Sequence, residues 1–177
     1  MASIMTKGLN KKDYIELMET NKEMLYRTAY GYLRDETLAL DALDEAIYLG
    51  YKNRKKVREP EFAKTWLTRI LINECLRILK EKKRVIPFEE ISQATPNHSY
   101  FEKSSKETSL STKMALDALP EDLKEVIILR YFSDETIADT AKILKIPEGT
   151  VSSRARKALT LLKGELTIEE GGSSHVR

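Results

Sequence analysis

Cysteine and histidine are nearly absent from this 177-residue chain, which holds one of the former and two of the latter. A single cysteine, Cys75, closes no intramolecular disulfide and fits a reducing compartment. His98 and His175 stand alone, outside any metal-ligand or triad spacing. No P-loop or dinucleotide fingerprint occurs either, so neither a metal nor an organic cofactor is expected. Apolar runs are short. None approaches the roughly 18 residues of a membrane span, and "MASIMTKGLNKKDY" has no apolar segment of signal-peptide length. A soluble, cytoplasmic protein is expected. Excess charge is also lacking: the net value is +2, so the total does not announce a nucleic-acid binder.

What is present is helical material. Hydrophobic residues make up 41% and charged residues 33%, with only seven glycines and five prolines to interrupt helices. Charge is unevenly spread. Residues 53–84 carry a net +7, whereas residues 1–52, 85–112 and 113–177 carry −2, −2 and −1. Segment 85–112 holds Pro87, Pro96, six serines and three threonines and has no sustained 3.6-residue period. It reads as a flexible linker, able to reach roughly 90–100 Å at about 3.3–3.6 Å per residue. The expectation is an all-α chain of two small helical domains, at 10–84 and 113–166, with a tail at 167–177.

Three helices are predicted before the linker. The first spans about Lys12 to Leu33, with Met18, Leu25, Ala29 and Leu33 near one face. Asp35 is placed to cap the second, about Glu36 to Lys52, and Pro60 opens the third, which continues to about Lys83. Trp66, Leu67, Ile70, Leu71 and Ile78 form its apolar stripe, so Trp66 reads as a core residue rather than a stacking platform. Beyond the linker a short helix ends at Leu116 and Leu119, and Pro120 begins another bearing Leu123, Val126, Ile127 and Tyr131. Ser133 is expected to cap a helix with Ile137, Ala141 and Leu144, and Asp134 and Glu135 to sit at its N-terminal dipole.

The last helix raises the question of function. From Thr150 to Lys163 its only charges are Arg154, Arg156, Lys157 and Lys163. At 100° per residue, Val151, Ala155, Ala158 and Leu162 fall within about 60° of one another. Ser152, Ser153, Arg156, Lys157, Thr160 and Lys163 occupy the opposite arc, with Arg154 at its shoulder. Thr150 is placed to cap this helix after a turn through Pro147 and Gly149. Two helices joined by a short turn, the second basic, form a helix-turn-helix pattern suited to the major groove. Arginine and lysine can reach guanine edges or phosphates, and serines let the backbone approach closely.

Both halves resemble one family. "ALDALPEDLKEVIILRYFSDETIADTAKILKIPEGTVSSRARKAL" is similar to region 4 of the extracytoplasmic-function (ECF) sigma factors, the smallest group of the bacterial sigma-70 family. "LYRTAYGYL", "DALDEAIYLGYKN" and "WLTRILINECLRILKEKKR" resemble region 2, in the family's order. Departures stand at Asp44, Ile47, Ala63, Arg77 and Asp139-Thr140. The resemblance implies a non-enzymatic factor that directs core RNA polymerase to promoters and aids their opening. Asp41, Asp44, Glu45 and Tyr48, at i, i+3, i+4, i+7 on one helix face, would dock on the clamp helices of the largest polymerase subunit. The flap of the second-largest subunit is a further implied partner.

The same resemblance assigns Asn53, Arg54, Lys55, Lys56, Arg58, Arg69, Asn73, Arg77 and Lys80 to the non-template strand of the −10 element. There an unstacked base would be captured while cations follow phosphates. Thr150, Ser152, Ser153, Arg154, Arg156 and Lys157 would contact the −35 duplex. An anti-sigma factor, often membrane-anchored in this family, is the implied regulator. Two other classes compete. An autonomous helix-turn-helix regulator would bind palindromic duplex without polymerase, leaving the first domain without work. A helical enzyme would use Asp41, Asp44 and Glu45 for a metal, yet no second carboxylate motif completes such a site.

Overall fold

The computed structural model describes residues 8–84 and 114–171, with side chains to residue 164. The expected linker lies outside the described residues. Helices account for the regular structure, with no strand among the described residues. The chain divides into two compact units, Met1–Ser92 with Tyr131–Glu135, and Gln93–Arg130 with Thr136–Arg177.

In the first unit, α1 spans Lys11–Leu33, α2 Glu36–Asn53 and α3 Ala63–Arg84, each packed on the other two. Asn10 caps α1 by accepting the Asp13 amide at 2.9 Å, and Asp35 caps α2 by accepting that of Leu38 at 2.9 Å. Single 3₁₀ turns, Arg54–Lys56 and Pro60–Phe62, join α2 to α3, so the third α-helix begins after Pro60 rather than at it. Leu25, Ala29, Ala46, Leu67, Leu71 and Cys75 are buried where the three stripes meet. Each large aliphatic side chain so buried contributes about 1.5–3 kcal/mol. Burial pushes the Cys75 thiol up to about 12, so it is a packed core group with little thiolate at neutral pH.

A close approach of α1 and α2 sets the geometry of this bundle. The Tyr14 hydroxyl donates to the Ile47 carbonyl at 2.6 Å, and its ring meets the edge of Tyr51 with centroids 5.8 Å apart. Burial pushes the Tyr14 phenol up to about 12. Gly50 makes room for this ring. A Cβ there would lie 2.5 Å from the Tyr14 oxygen and 2.9 Å from Leu67 Cδ1.

The segment Tyr131–Glu135 belongs to this first unit. Ser133 and Thr28, both buried, share a hydrogen bond of 2.6 Å. The buried Glu135 carboxylate accepts from Thr68 Oγ1 at 3.2 Å and lies 3.7 Å from Lys64 Nζ, which compensates its charge. This overturns the expected cap. Ser133 has its hydroxyl engaged by Thr28, and Thr136 caps the following helix by accepting the Asp139 amide at 3.0 Å.

The second unit holds a helical turn at 114–117, α4 at Glu121–Ile127, α5 at Ile137–Leu144 and α6 at Glu148–Gly171. After α4 the chain widens into a π-type turn at Ile128–Phe132. Val126, Ala141 and Val151 form the buried centre of α4, α5 and α6, with Leu144, Ile146 and Ala155 packed around it.

Gly50→Ala should destabilise the chain by about 1–3 kcal/mol, because overpacking against Tyr14 and Leu67 outweighs the better helix propensity of alanine. Urea unfolding followed by circular dichroism would show a lower midpoint; an unchanged or higher midpoint would contradict the close approach.

Candidate nucleic-acid interface

The basic turn after α2 stands on an apolar plug. Val57 turns inward beside Leu9, Tyr14 and Ala63, with Leu17 and Trp66 packed against them. Trp66 is therefore part of this packing, as its place on the stripe suggested. Lys55, Lys56 and Arg58, on either side of Val57, are exposed. Arg54 is half-buried. Its guanidinium lies 4.0 Å from the centroid of the Tyr51 ring, and Nη1 donates to the Tyr51 carbonyl at 2.7 Å. Asn53 Nδ2 donates one hydrogen to the Leu49 carbonyl at 2.9 Å, which fixes the amide and leaves Oδ1 and the second N–H for other uses.

Arg69, Asn73, Arg77 and Lys80 are exposed along α3, and their spacing confines them to about 80° of its circumference. Arg77 is engaged within the helix. It donates to Glu74 at 2.8 Å and Glu81 at 2.9 Å, bonds that raise its pKa and hold the guanidinium charged. On α2, Asp41, Asp44, Glu45 and Tyr48 are all exposed, as their shared face requires. Asp41 and Glu45 line an open groove with Leu38 of α2 and Arg77, Ile78, Glu81 and Lys82 of α3. Asp44 and Tyr48 lie outside that lining.

In the second unit, α6 turns Val151 and Ala158 inward and leaves Ser153, Arg156, Lys157, Thr160 and Lys163 exposed. Thr150, Ser152 and Arg154 are half-buried. Arg154 Nε lies 3.3 Å from Asp122 Oδ2, so this arginine braces α6 on α4. Burial, then the neighbouring Glu121, pushes the Glu125 carboxyl above the usual range, and Arg154 opposes that shift. Two local expectations change. Glu148 starts α6, so Thr150 lies inside the first turn, with its amide and that of Val151 donating to the Pro147 carbonyl at 2.9 and 3.1 Å. Gly149 likewise lies in the first turn of α6 rather than in the turn before it, and the left-handed residue between α5 and α6 is Lys145, with φ 56°.

The comparisons fall on these same elements. Residues 17–85 match the family model "Sigma-70 region 2" and residues 115–164 match "Sigma-70, region 4". The chain is 30% identical over 169 residues to RNA polymerase sigma factor SigV of Bacillus subtilis, covering 93% of this chain and 97% of that protein. The chain is a sigma factor of the sigma-70 family, of the ECF type. ECF sigma factor SigM of Mycobacterium tuberculosis is 28% identical over 145 residues, covering 81% of this sigma factor and 71% of SigM. Among solved structures, RpoE of Bartonella quintana, crystallised with the anti-sigma factor NepR, matches with a TM-score of 0.71 at 23% identity. That match covers 89% of this chain and 98% of RpoE. CnrH, solved with the cytosolic domain of CnrY, gives 0.67 at 17% identity over 90% of each chain. Both support the fold.

The structure brings the basic turn together with residues that sequence reasoning passed over: Gly8, Leu9, Tyr14 and Val57. A leucine ahead of the first helix and one valine within a basic run carry no periodic signal.

No atom lies within 4 Å of a Cβ built on Gly149, in the first turn of α6. Gly149→Ala is therefore expected to stabilise the chain by about 0.4–1 kcal/mol by restricting the unfolded state. A raised urea midpoint checks it, and a lowered one would contradict an open first turn.

Proposed function

We propose that this sigma factor binds core RNA polymerase through the α2 face bearing Asp41, Asp44, Glu45 and Tyr48, and reads promoters with two separate basic surfaces. The observation that carries the proposal is the placement of these charges. An acidic face and an exposed basic turn lie on one helical unit, and a basic recognition helix lies on the other. Acidic groups orient docking on a basic partner, here the clamp helices of the largest subunit, while the second unit meets the flap of the second-largest.

The exposed cations Lys55, Lys56 and Arg58, with Arg69 and Lys80 on α3, follow the phosphates of the parted −10 strand. Asn53 offers Oδ1 to a base, and Asn73 adds a second polar contact. Arg54 and Arg77, held by Tyr51 and by two glutamates, shape the surface more than they reach from it. On α6, Arg156 and Lys157 contact the −35 duplex, with Ser152, Ser153 and Thr150 allowing close approach. Arg154 positions the helix through Asp122.

This reading assigns the chain no bond-making step and no cofactor. His98 and His175 lie outside the described residues, and no cluster of ligating side chains able to hold a metal occurs among the described residues. An autonomous regulator is not favoured, because both sigma regions are present in one chain. RpoE was solved with the anti-sigma factor NepR, which supports an anti-sigma partner for this chain as well, and CnrH was likewise solved with a second protein, the cytosolic domain of CnrY. No helix among the described residues is long and apolar enough to cross a membrane.

Reconstitution with core polymerase and sequencing of transcript starts from a promoter library tests the function. Initiation from a defined promoter class is expected; initiation no different from core enzyme alone would refute it. Lys157→Ala should weaken promoter binding by about 1–3 kcal/mol and leave core binding intact. Unchanged promoter binding would remove Lys157 from DNA recognition, and equal loss of both would instead indicate misfolding.

A further inference from the structure

The segment just ahead of α1 is built against the basic turn. The Leu9 amide donates to the Arg54 carbonyl at 3.0 Å, and the Leu9 side chain, 6% exposed, is buried with Val57, Tyr14 and Ala63. Gly8 lies directly over the next residue. A Cβ on Gly8 would collide with the Lys55 backbone, its carbonyl oxygen first. Asn10 then caps α1, so the segment is tied down on both sides. The contact is backbone on backbone, and glycine is the residue that permits it.

We infer that Gly8 and Leu9 form a strap that positions the Arg54–Lys56 turn for sequence discrimination at the −10 strand. Gly8 and Leu9 are positioning residues; neither touches DNA. Phosphate contacts by Lys55 and Lys56 tolerate a moving backbone, because Coulomb attraction is long-ranged and non-directional. A base held by Asn53, the last residue of α2 and the one from which the Arg54–Lys56 turn springs, needs its partner fixed within about 0.5 Å. A loosened turn therefore keeps most of its affinity and loses its selectivity. The strap accounts for a glycine at a position where the chain makes no turn of positive φ, and for a buried leucine ahead of the first helix.

The inference rests on the proposed promoter-reading role, and one experiment separates the two. Holoenzymes are assembled with the wild-type chain, with Gly8→Ala, and with a chain beginning at Asn10, which retains the cap and has no clash at residue 8. Each is assayed on three promoters: the preferred one, one altered at −10, and one altered at −35. The ratio of initiation between promoters is read, because it does not depend on the fraction of active protein.

Both variants are expected to lose at least fivefold of the −10 ratio while the −35 ratio stays within twofold of wild type. An unchanged −10 ratio in the shortened chain overturns the strap, whatever Gly8→Ala does. Equal loss of both ratios also overturns it, since that marks general damage. Failure of the wild-type holoenzyme to initiate selectively would instead refute the promoter-reading role itself.

Discussion

The apolar plug beneath the basic turn is the constraint on which the first unit depends. Lysines and arginines in sequence repel one another and favour solvent, so a run such as Arg54-Lys55-Lys56-Val57-Arg58 has little reason to hold one shape. Val57 supplies the reason. Its side chain enters a pocket formed by Leu9, Tyr14 and Ala63, and the turn follows it. Tyr14 joins the plug to the bundle, since its hydroxyl reaches the Ile47 carbonyl and its ring meets Tyr51. One aromatic thus ties the strap, α1, α2 and the turn together, and Gly50 is the vacancy that lets it do so.

The cations divide by what their side chains already hold. Arg54 is laid on Tyr51, Arg77 is forked between Glu74 and Glu81, and Arg154 meets Asp122. Lys55, Lys56, Arg58, Arg156 and Lys157 are exposed instead. The planar, multi-donor guanidinium suits bracing, because one group can satisfy two partners at fixed angles. Lys55, Lys56 and Lys157 present mobile point charges suited to phosphates, and the exposed Arg58 and Arg156 keep their guanidinium forks open to phosphate or guanine edges. The division also explains how a chain of net charge +2 can serve DNA: much of its positive charge is concentrated on two short stretches of surface.

Much of the architecture could be read from residue order. Period-3.6 stripes located α1 and α3, and Asp35 marked the start of α2 because a short acceptor before an apolar run satisfies open amides. The four-residue spacing of the α2 face and the basic arc of α6 were legible for the same reason. Errors arose where a distant partner intervened. Ser133 has the chemistry of a cap, but its hydroxyl is bound by Thr28, 105 residues away, and Thr136 takes the role through the Thr-x-x-Asp spacing to Asp139. Thr150 was displaced from the cap because Pro147 already supplies the first acceptor. The strap left no periodic trace at all, and the partners of Arg54 and Arg154 follow from packing that charge counts do not contain.

Amide hydrogen exchange at the basic turn probes the plug most directly. The Leu9 and Val57 amides both donate to the Arg54 carbonyl, at 3.0 and 3.3 Å, next to a highly charged exposed surface. If the turn is held from beneath, they should exchange within about tenfold of core amides such as that of Leu71, since opening them requires opening the bundle. Exchange at the rate of an unstructured peptide, while Leu71 stays protected, would show that the turn is not held and that the plug does not shape the basic surface proposed to meet DNA.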